Sequence, residues 1–201
     1  MNFDAIAPLY DGLAKLVFGS KAWENVQCYG AEKLRKHPAV LILGGGTGKI
    51  LETTSAGQTI TFLDASAKML QQASERPTSS NVTFIQEDFL KWESRQKYDA
   101  IYCPFFLDCF DEDLLKQVVE KLATHLKPNG RLYVLDFRKT KTLKHRLLLA
   151  IMHAFFKVTT GLAATRLLDH HAYLDPHFSM QEETLLRNGS VYFRGYTMEK
   201  P

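Results

Sequence analysis

Short apolar blocks separated by polar, turn-forming segments run through most of this chain. Blocks short enough for buried strands lie at residues 39–43, 59–63, 82–86, 98–103 and 131–137. Stretches that predict helices lie between them, at 47–56, 66–75 and 112–126. This alternation is typical of an α/β fold with a mostly parallel sheet and helices on both faces.

The two ends of the chain have different patterns. Residues 3–36 carry apolar side chains at three-to-four spacing and predict two helices, the second capped by Ser20. After Phe137 the alternation stops, and residues 138–178 form a long insertion. The capping-type sequence at Ser179–Glu182 predicts a short helix, and a strand at 190–197 follows. This adds one strand to the five in the middle and predicts a six-stranded sheet.

These patterns predict one domain over residues 1–201 with four consecutive parts. The parts are N-terminal helices at 1–37, a core at 38–137, the insertion at 138–178, and a C-terminal helix and strand at 179–201. Because 201 residues suit a single domain with a sizeable core, no further division is needed.

Composition excludes several classes of function. The formal net charge of +3 is too mild to indicate a nucleic-acid partner. Three cysteines, Cys28, Cys103 and Cys109, match no zinc spacing, so we expect reduced thiols and no metal. The N-terminus has no apolar signal region. We therefore expect a cytoplasmic protein.

A glycine-rich segment follows the first predicted strand and precedes a predicted helix. Gly44, Gly46 and Gly48 lie in the sequence GGGTGK, directly after the apolar run 40–43. Glycines let the backbone approach a ligand closely. A helix N-terminus adds free N–H groups and a positive dipole end that favour a carboxylate or phosphate. The segment therefore predicts a ligand site.

The glycine spacing separates three classes of site. A P-loop requires glycine and Ser/Thr where this chain has Leu43 and Ile50, so both positions fail. A dinucleotide fingerprint requires a third small residue where this chain has Lys49. The observed spacing is G-x-G-x-G. It resembles that of the class I S-adenosylmethionine-dependent methyltransferases.

The resemblance extends over residues 38–137, with further motifs in family order. They are TFLDASAKML at 61–70, VTFIQEDF at 82–89, YDAIYCPFFLD at 98–108 and LKPNGRL at 126–132. It implies a Rossmann-like, doubly wound α/β fold with S-adenosylmethionine as cofactor. The layout is similar to that of ubiquinone/menaquinone-biosynthesis methyltransferases, in which the insertion after the fifth strand is a helical lid.

The resemblance also implies which residues bind the cofactor. They are Gly44, Gly46, Gly48, Asp64, Ala65, Met69, Asp88, Phe89, Cys103 and Tyr10. Asp64 would bind the ribose hydroxyls, Asp88 the adenine amino group, and Phe89 would pack on the adenine ring. The sequence leaves an alternative open for each of the two acids: Asp64 could be a helix cap, and Asp88 could be an exposed loop acid.

Two features bear on how the cofactor is held. Tyr10 matches the tyrosine of an N-terminal helix that closes over the cofactor in relatives, and core packing is its alternative. Ile42 stands where relatives carry an acid, two residues before the first glycine. The absence of this acid leaves the loop amides and the predicted helix N-terminus to hold the cofactor's carboxylate.

Asp108 is the candidate catalytic residue. It follows the fourth predicted strand and could orient an acceptor or take its proton. The alternative is a surface or capping acid. Arg138, His170, His171 and Tyr173 are weaker candidates for the acceptor pocket. His125 is set aside because it ends a helix at the opposite edge of the sheet.

The insertion bears on the acceptor. Its apolar positions form two sides of a predicted helix, at Leu143, Leu147, Ile151, Phe155, Val158 and Leu162, and at Leu148, Met152 and Phe156. Residues 137–168 hold seven Lys or Arg and no acid. One apolar side would face the domain, and the other an apolar acceptor, a membrane surface or another chain. Packing on the core alone is the alternative.

The sequence therefore predicts a methyltransferase acting on a small, apolar or lipid-like acceptor. The first alternative is a non-catalytic cofactor-binding or regulatory module on a degenerate methyltransferase fold. The second is a nicotinamide-dependent oxidoreductase. The acceptor atom, the pathway and the oligomeric state stay open.

Overall fold

The computed structural model describes residues 4–138 and 168–198. The strands of these residues are β1 (Ala39–Leu43), β2 (Thr59–Asp64), β3 (Asn81–Gln86), β4 (Tyr98–Pro104), β5 (Leu126–Phe137), β6 (Phe178–Leu186) and β7 (Val191–Met198). The α-helices are α1 (Tyr10–Phe18), α2 (Ser20–Leu34), α3 (Ala67–Ser74), α4 (Glu112–His125) and α5 (His170–Leu174). Short 3-10 turns lie at Ala7–Leu9, Lys49–Thr53, Leu107–Cys109 and Arg187–Gly189.

The strands form one sheet in the order β3-β2-β1-β4-β5-β7-β6. Strands β1 to β5 pair in parallel, whereas β7 runs antiparallel between β5 and β6. The chain proceeds outward from β1 to β3 and then returns to place β4 on the other side of β1. Such a reversal opens a crevice beyond the carboxyl ends of the strands, where open α/β sheets bind ligands.

Helices cover both faces of the sheet because successive side chains of a strand point to opposite sides. Leu41 and Leu43 of β1 belong to a buried cluster with Leu115 of α4. Val40 and Ile42 belong to the opposite cluster, with residues of α2. The structure confirms the predicted Rossmann-like α/β sheet with helices on both faces.

The sheet has seven strands among the described residues, so the prediction of six was wrong. The missing strand is β6, because a short helix was predicted to begin at the capping-type sequence Ser179–Glu182. Phe178–Leu186 instead pairs with β7 along its length, with an irregularity between Met180 and Glu182. Ladder hydrogen bonds to the open edge of β7 outweigh the local capping signal of Ser179, since strand formation depends on pairing context.

The segment after the glycines is a five-residue 3-10 turn rather than the helix predicted over 47–56. Gly48 precedes it in a left-handed conformation, with φ of 71°. The hydroxyls of Thr53 and Thr54 donate to the carbonyls of Ile50 and Leu51 and end the turn. So short a turn provides little macrodipole, and the argument for an anion held at a helix N-terminus loses its basis.

The predicted lid stripe at 143–162 lies outside the described residues, and so does most of the insertion. Within residues 4–138 and 168–198, none of the helices has the length and apolar character needed to cross a bilayer.

Two helices begin with the same capping device and provide a matched pair for mutation. Ser66 caps α3 by accepting from the N–H of Met69, and Asp111 caps α4 by accepting from that of Leu114. We expect Asp111→Ala to cost about 1 kcal/mol of folding free energy. Ser66→Ala should cost more, because the Ser66 hydroxyl also donates to Asp4. Thermal unfolding measures both, and an equal loss would contradict a role for the Asp4 contact.

Candidate functional site

A cleft of about 300 Å³ opens beyond the carboxyl ends of β1 to β4, at the reversal of strand order. Its size is at the lower end of the range usual for small-molecule sites. It is lined by Tyr10, Gly44, Gly46, Leu63, Asp64, Ala65, Met69, Gln86, Glu87, Asp88, Phe89, Phe105, Phe106, Cys109 and Phe110. Most of the residues predicted to bind the cofactor are therefore brought together in one place.

The glycine loop forms the floor of the cleft. Gly44 and Gly46 have φ of 63° and 57°, in the left-handed region that favours glycine. A Cβ built on Gly46 would meet only the Tyr10 ring within 4 Å, at 3.6 Å. The Tyr10 ring therefore lies opposite Gly46 and would be in van der Waals contact with a methyl group on this residue.

Asp64 ends β2 beside this loop. One carboxylate oxygen accepts from the N–H of Gly46 at 3.2 Å, and the other accepts from the N–H of Ser66 at 2.9 Å. The residue is only 9% exposed, and burial raises the pKa of Asp64 to about 6 in spite of these bonds. Two backbone anchors hold a carboxylate at the cleft with lone pairs left for a ligand.

An N-terminal segment covers one side of the cleft. Asp4 accepts hydrogen bonds from the Ser66 hydroxyl and the Lys68 N–H, at 2.6 and 3.2 Å. Further along, Asp11 accepts from the Thr47 hydroxyl at 2.5 Å and pairs with Arg76. These anchors hold the start of α1 over the glycine loop.

Tyr10 and Met69 close this side of the cleft. Met69 of α3 is buried with Ile6 and Ala7, and Tyr10 packs against that cluster. Tyr10 therefore both lines the cleft and packs against this cluster.

Aromatic rings form the opposite wall. Phe89 and Phe106 meet edge to face with centroids 6.0 Å apart, and Phe106 meets Phe110 in the same manner at 5.0 Å. Phe105 lies beside them with φ of 49°, held by a 2.7 Å bond from its N–H to the Leu135 carbonyl. The rings after β4 were not predicted as site residues, although the sequence Pro104-Phe105-Phe106 at the end of that strand was a usable signal.

The charge of the lining is acidic. Asp64, Glu87 and Asp88 line the cleft, and no Lys, Arg or His is among the lining residues within 4–138 and 168–198. Asp88 lies at the exposed rim, where its carboxylate accepts from the Leu90 N–H at 2.9 Å. A cationic or neutral ligand therefore suits this cleft better than an anionic one.

Three predicted residues are not among the lining residues. Cys103 is fully buried within β4. Gly48 packs against α3, where a Cβ would lie 2.6 Å from that of Ala73. Asp108 lies in the turn Leu107–Cys109, next to the lining residue Cys109. The Cys109 sulfur is 3.6 Å from the Asp108 Oδ1. A direct cofactor contact thus has less support for Gly48 and Cys103 than for the others.

Asp136 near the end of β5 contacts Asp108 and was not predicted. It is completely buried, and its Oδ2 accepts from the Asp108 N–H at 3.2 Å. Burial, and next the charge of Asp108, raises the pKa of Asp136 well above its usual range. An acid inside the apolar run 132–137 was the signal that the sequence offered.

The remaining candidates have other surroundings. His170 is buried, with Nδ1 2.7 Å from the Tyr192 hydroxyl. Arg138 is exposed, and its N–H donates to the Ser190 carbonyl. His171 and Tyr173 are half-buried on α5 and are not among the described lining residues.

His125 packs on Trp92 behind the aromatic wall, with ring centroids 5.0 Å apart. It is buried and is not among the described lining residues. Within the described chain, no group of three or more His, Cys, Asp or Glu side chains could hold a metal ion.

Residues 40–130 match a family model described as a methyltransferase domain. This range contains the glycine loop, Asp64, Asp88 and the aromatic residues after β4. The match therefore covers the part of the chain that forms most of the cleft.

Similar proteins include a curated relative and solved structures. The chain is 28% identical over 102 residues to the probable thiol methyltransferase 2 of Arabidopsis thaliana, covering 48% of this chain. That match spans 45% of the relative, so the chain covers less than half of its length.

The N-methyltransferase NodS of Bradyrhizobium japonicum, solved with S-adenosyl-L-homocysteine, is 14% identical with a TM-score of 0.69 over 88% of each chain. Magnesium protoporphyrin IX methyltransferase of Synechocystis, also with this ligand, is 21% identical with a TM-score of 0.64, over 88% of this chain and 83% of that one. These likenesses show the fold.

Proposed function

We propose that this chain is a class I S-adenosylmethionine-dependent methyltransferase. We propose further that it methylates a small apolar acceptor. The observation that carries this proposal is the cleft, where Gly46, Asp64 and Asp88 meet at the end of the parallel strands. The ubiquinone/menaquinone-type layout stays a prediction.

The residues present fit the cofactor. The Asp64 carboxylate is held by backbone donors and has free acceptor capacity for the two hydroxyls of a ribose. Gly46 lines the cleft with bare backbone, and the ring of Phe89, which also lines it, offers a surface on which a base can pack. Asp88 at the rim can accept from an exocyclic amino group.

The cofactor supplies, when bound, a methyl group on a positively charged sulfonium. Because such a leaving group is already good, the chain's main tasks are to position the acceptor and exclude water. The aromatic wall and Tyr10 exclude water. Asp108, beside Cys109, is the side chain proposed to accept the acceptor's proton.

The lining favours an apolar acceptor. Phe105, Phe106 and Phe110 provide apolar surface next to the glycine loop, and the acidic lining disfavours an anionic acceptor. The similar proteins include a probable thiol methyltransferase and an N-methyltransferase by name, so the acceptor atom is not inferred from them. They do not favour the alternative of a non-catalytic module.

Calorimetry with S-adenosylhomocysteine tests the cofactor assignment. We expect binding by the folded chain and little binding of NAD. A folded protein that binds NAD but not S-adenosylhomocysteine would overturn the proposal. Methyl transfer from labelled S-adenosylmethionine to a panel of thiols, amines and phenols then tests the acceptor, and binding without transfer to any of them would favour the non-catalytic alternative.

A further inference from the structure

Arg76 lies just after α3 and makes hydrogen bonds to three separate parts of the chain. Its Nε donates to the Thr47 carbonyl at 3.0 Å, and its Nη1 donates to the Glu52 carboxylate at 2.9 Å. Its Nη2 pairs with the carboxylate of Asp11 in α1. The planar guanidinium therefore joins the glycine loop, the turn Lys49–Thr53 and the N-terminal helix at one point.

The contacts among Arg76, Asp11 and Thr47 form a closed network, here called the Arg76 network. The Thr47 hydroxyl donates at 2.5 Å to the second oxygen of the Asp11 carboxylate, while the Thr47 carbonyl accepts from Arg76. Thr47 is only 2% exposed, and the side chains of Arg76 and Asp11 are 23% and 30% exposed. Hydrogen bonds to charged groups are stronger than neutral ones, so this network fixes Thr47 through both its main chain and its side chain.

The Arg76 network adjoins the cleft at two places. Thr47 directly follows Gly46, and Asp11 directly follows Tyr10, and both Gly46 and Tyr10 line the cleft. The Tyr10 ring lies opposite Gly46, because a Cβ built on Gly46 would be 3.6 Å from the Tyr10 Cε1. The network therefore fixes the glycine loop and the start of α1 relative to each other where they face across the cleft.

The position of Arg76 depends on the packing of α3 against the same loop. The Arg76 N–H donates to the Ala73 carbonyl at 3.2 Å and extends the last turn of α3. Gly48 packs directly on Ala73. The turn that follows Gly48 is a 3-10 segment of five residues, too short to anchor the loop as a long helix would. Arg76 supplies an anchor from outside the loop.

We propose that Arg76 is a positioning residue, which holds Tyr10 opposite the glycine loop and so slows the release of the bound cofactor. This inference rests on the proposed function, because it takes the cofactor to occupy the cleft. Arg76 is not among the described lining residues, so it acts through Asp11 and Thr47. Movement of α1 away from the loop widens the cleft beside Gly46, and loss of the network makes that movement easier.

Lys33 provides a matched control for the loss of an ion pair. It pairs with Glu182, and their side chains are 29% and 35% exposed, close to the values for Arg76 and Asp11. This pair joins α2 to β6, and neither of its members is among the described lining residues. Loss of either pair should lower stability to a similar extent, whereas only loss of Arg76 should alter the cleft.

Hydrogen–deuterium exchange of the full-length protein without ligand tests whether Arg76 holds α1. We expect Arg76→Ala to speed amide exchange in residues 10–18 about tenfold, because local opening becomes easier. Lys33→Ala should speed exchange in α2 and β6 instead. Exchange in residues 10–18 that is unchanged, or raised equally in both variants, would overturn the proposal. If Arg76→Ala does not fold, Asp11→Asn weakens the same ion pair from the other side and decides in its place.

The release of S-adenosylhomocysteine is measured on the same proteins, by displacement of the labelled compound with an unlabelled excess. We expect dissociation about tenfold faster in Arg76→Ala and unchanged in Lys33→Ala. Asp11→Asn should also speed dissociation, and the double variant should add little, because the two residues belong to one network.

The outcomes separate this inference from the proposed function. A wild type that binds the compound, with equal dissociation rates in the wild type and Arg76→Ala, would overturn the positioning role alone. A folded wild type that does not bind S-adenosylhomocysteine contradicts the proposed function, and the role of Arg76 in cofactor release fails with it. The exchange measurement then still decides whether Arg76 holds Tyr10 and α1 in place, because it needs no ligand.

Discussion

Gly48→Ala is expected to destabilise the fold by about 3 kcal/mol, the sum of two costs. A left-handed φ of 71° costs an L-residue about 1–2 kcal/mol. The new methyl would lie 2.6 Å from the Cβ and 2.8 Å from the Cα of Ala73, and overpacking of this kind costs about 1–3 kcal/mol. Because the second contact is with backbone, no side-chain rotation relieves it. Thermal unfolding should show a decrease of roughly 6–12 °C.

Gly57→Ala is the matched control for backbone strain. Gly57 has φ of 85°, and a Cβ there would meet nothing within 4 Å. Gly57→Ala should therefore lower the free energy of unfolding by about 1–2 kcal/mol, through backbone strain alone. Equal losses in the two variants would show that α3 moves aside for the methyl group, and the packing argument for Gly48 would then be wrong.

The three glycines show what a sequence pattern can and cannot distinguish. Their spacing predicts a ligand loop, and Gly44 and Gly46 do line the cleft. Gly48 fits the same pattern but serves the packing of the loop on α3. The difference depends on Ala73, whose position follows from the packing of a helix that comes later in the chain.

The central sheet could be predicted because its signals are local. Strands β1 to β5 contain the apolar runs of the sequence, and Asp64 ends β2 at the distance from the first glycine that α/β cofactor sites use. Strand β6 lacks such a run, and after the buried Phe178 its positions are half-buried or exposed. It becomes a strand by pairing with β7, a non-local contact that outweighs the capping-type sequence at Ser179.

Asp136 could not be assigned from sequence for the same reason. An acid in an apolar strand indicates an unusual environment but not its partner. The partners come from the turn after β4 and from α5, on either side of β5 in the chain. A conclusion about the acid pair therefore needs the folded arrangement.

Asp64→Asn is expected to weaken S-adenosylhomocysteine binding about ten- to a hundredfold at pH 8. An ionised carboxylate can accept hydrogen bonds from both ribose hydroxyls, and loss of bonds to a charged group costs about 1–3 kcal/mol. Because burial raises the pKa of Asp64 to about 6, protonation should weaken binding by the wild type below that pH. The loss of wild-type affinity should approach about tenfold per pH unit below the pKa. The affinity of Asp64→Asn should show no such dependence on pH. Calorimetry from pH 5 to 8 measures both effects.

Stability without ligand should respond to pH with the opposite sign. A carboxyl whose pKa is raised from 3.8 to about 6 by folding stabilises the folded state below pH 3.8, and this contribution is lost as the pH rises through 6. The wild type should therefore lose stability relative to Asp64→Asn between pH 4 and 6, while its relative affinity for S-adenosylhomocysteine rises. A residue that only capped α3 would produce the stability difference without the affinity difference. That outcome would reassign Asp64 to a purely structural role, because ribose binding requires both trends in the same protein.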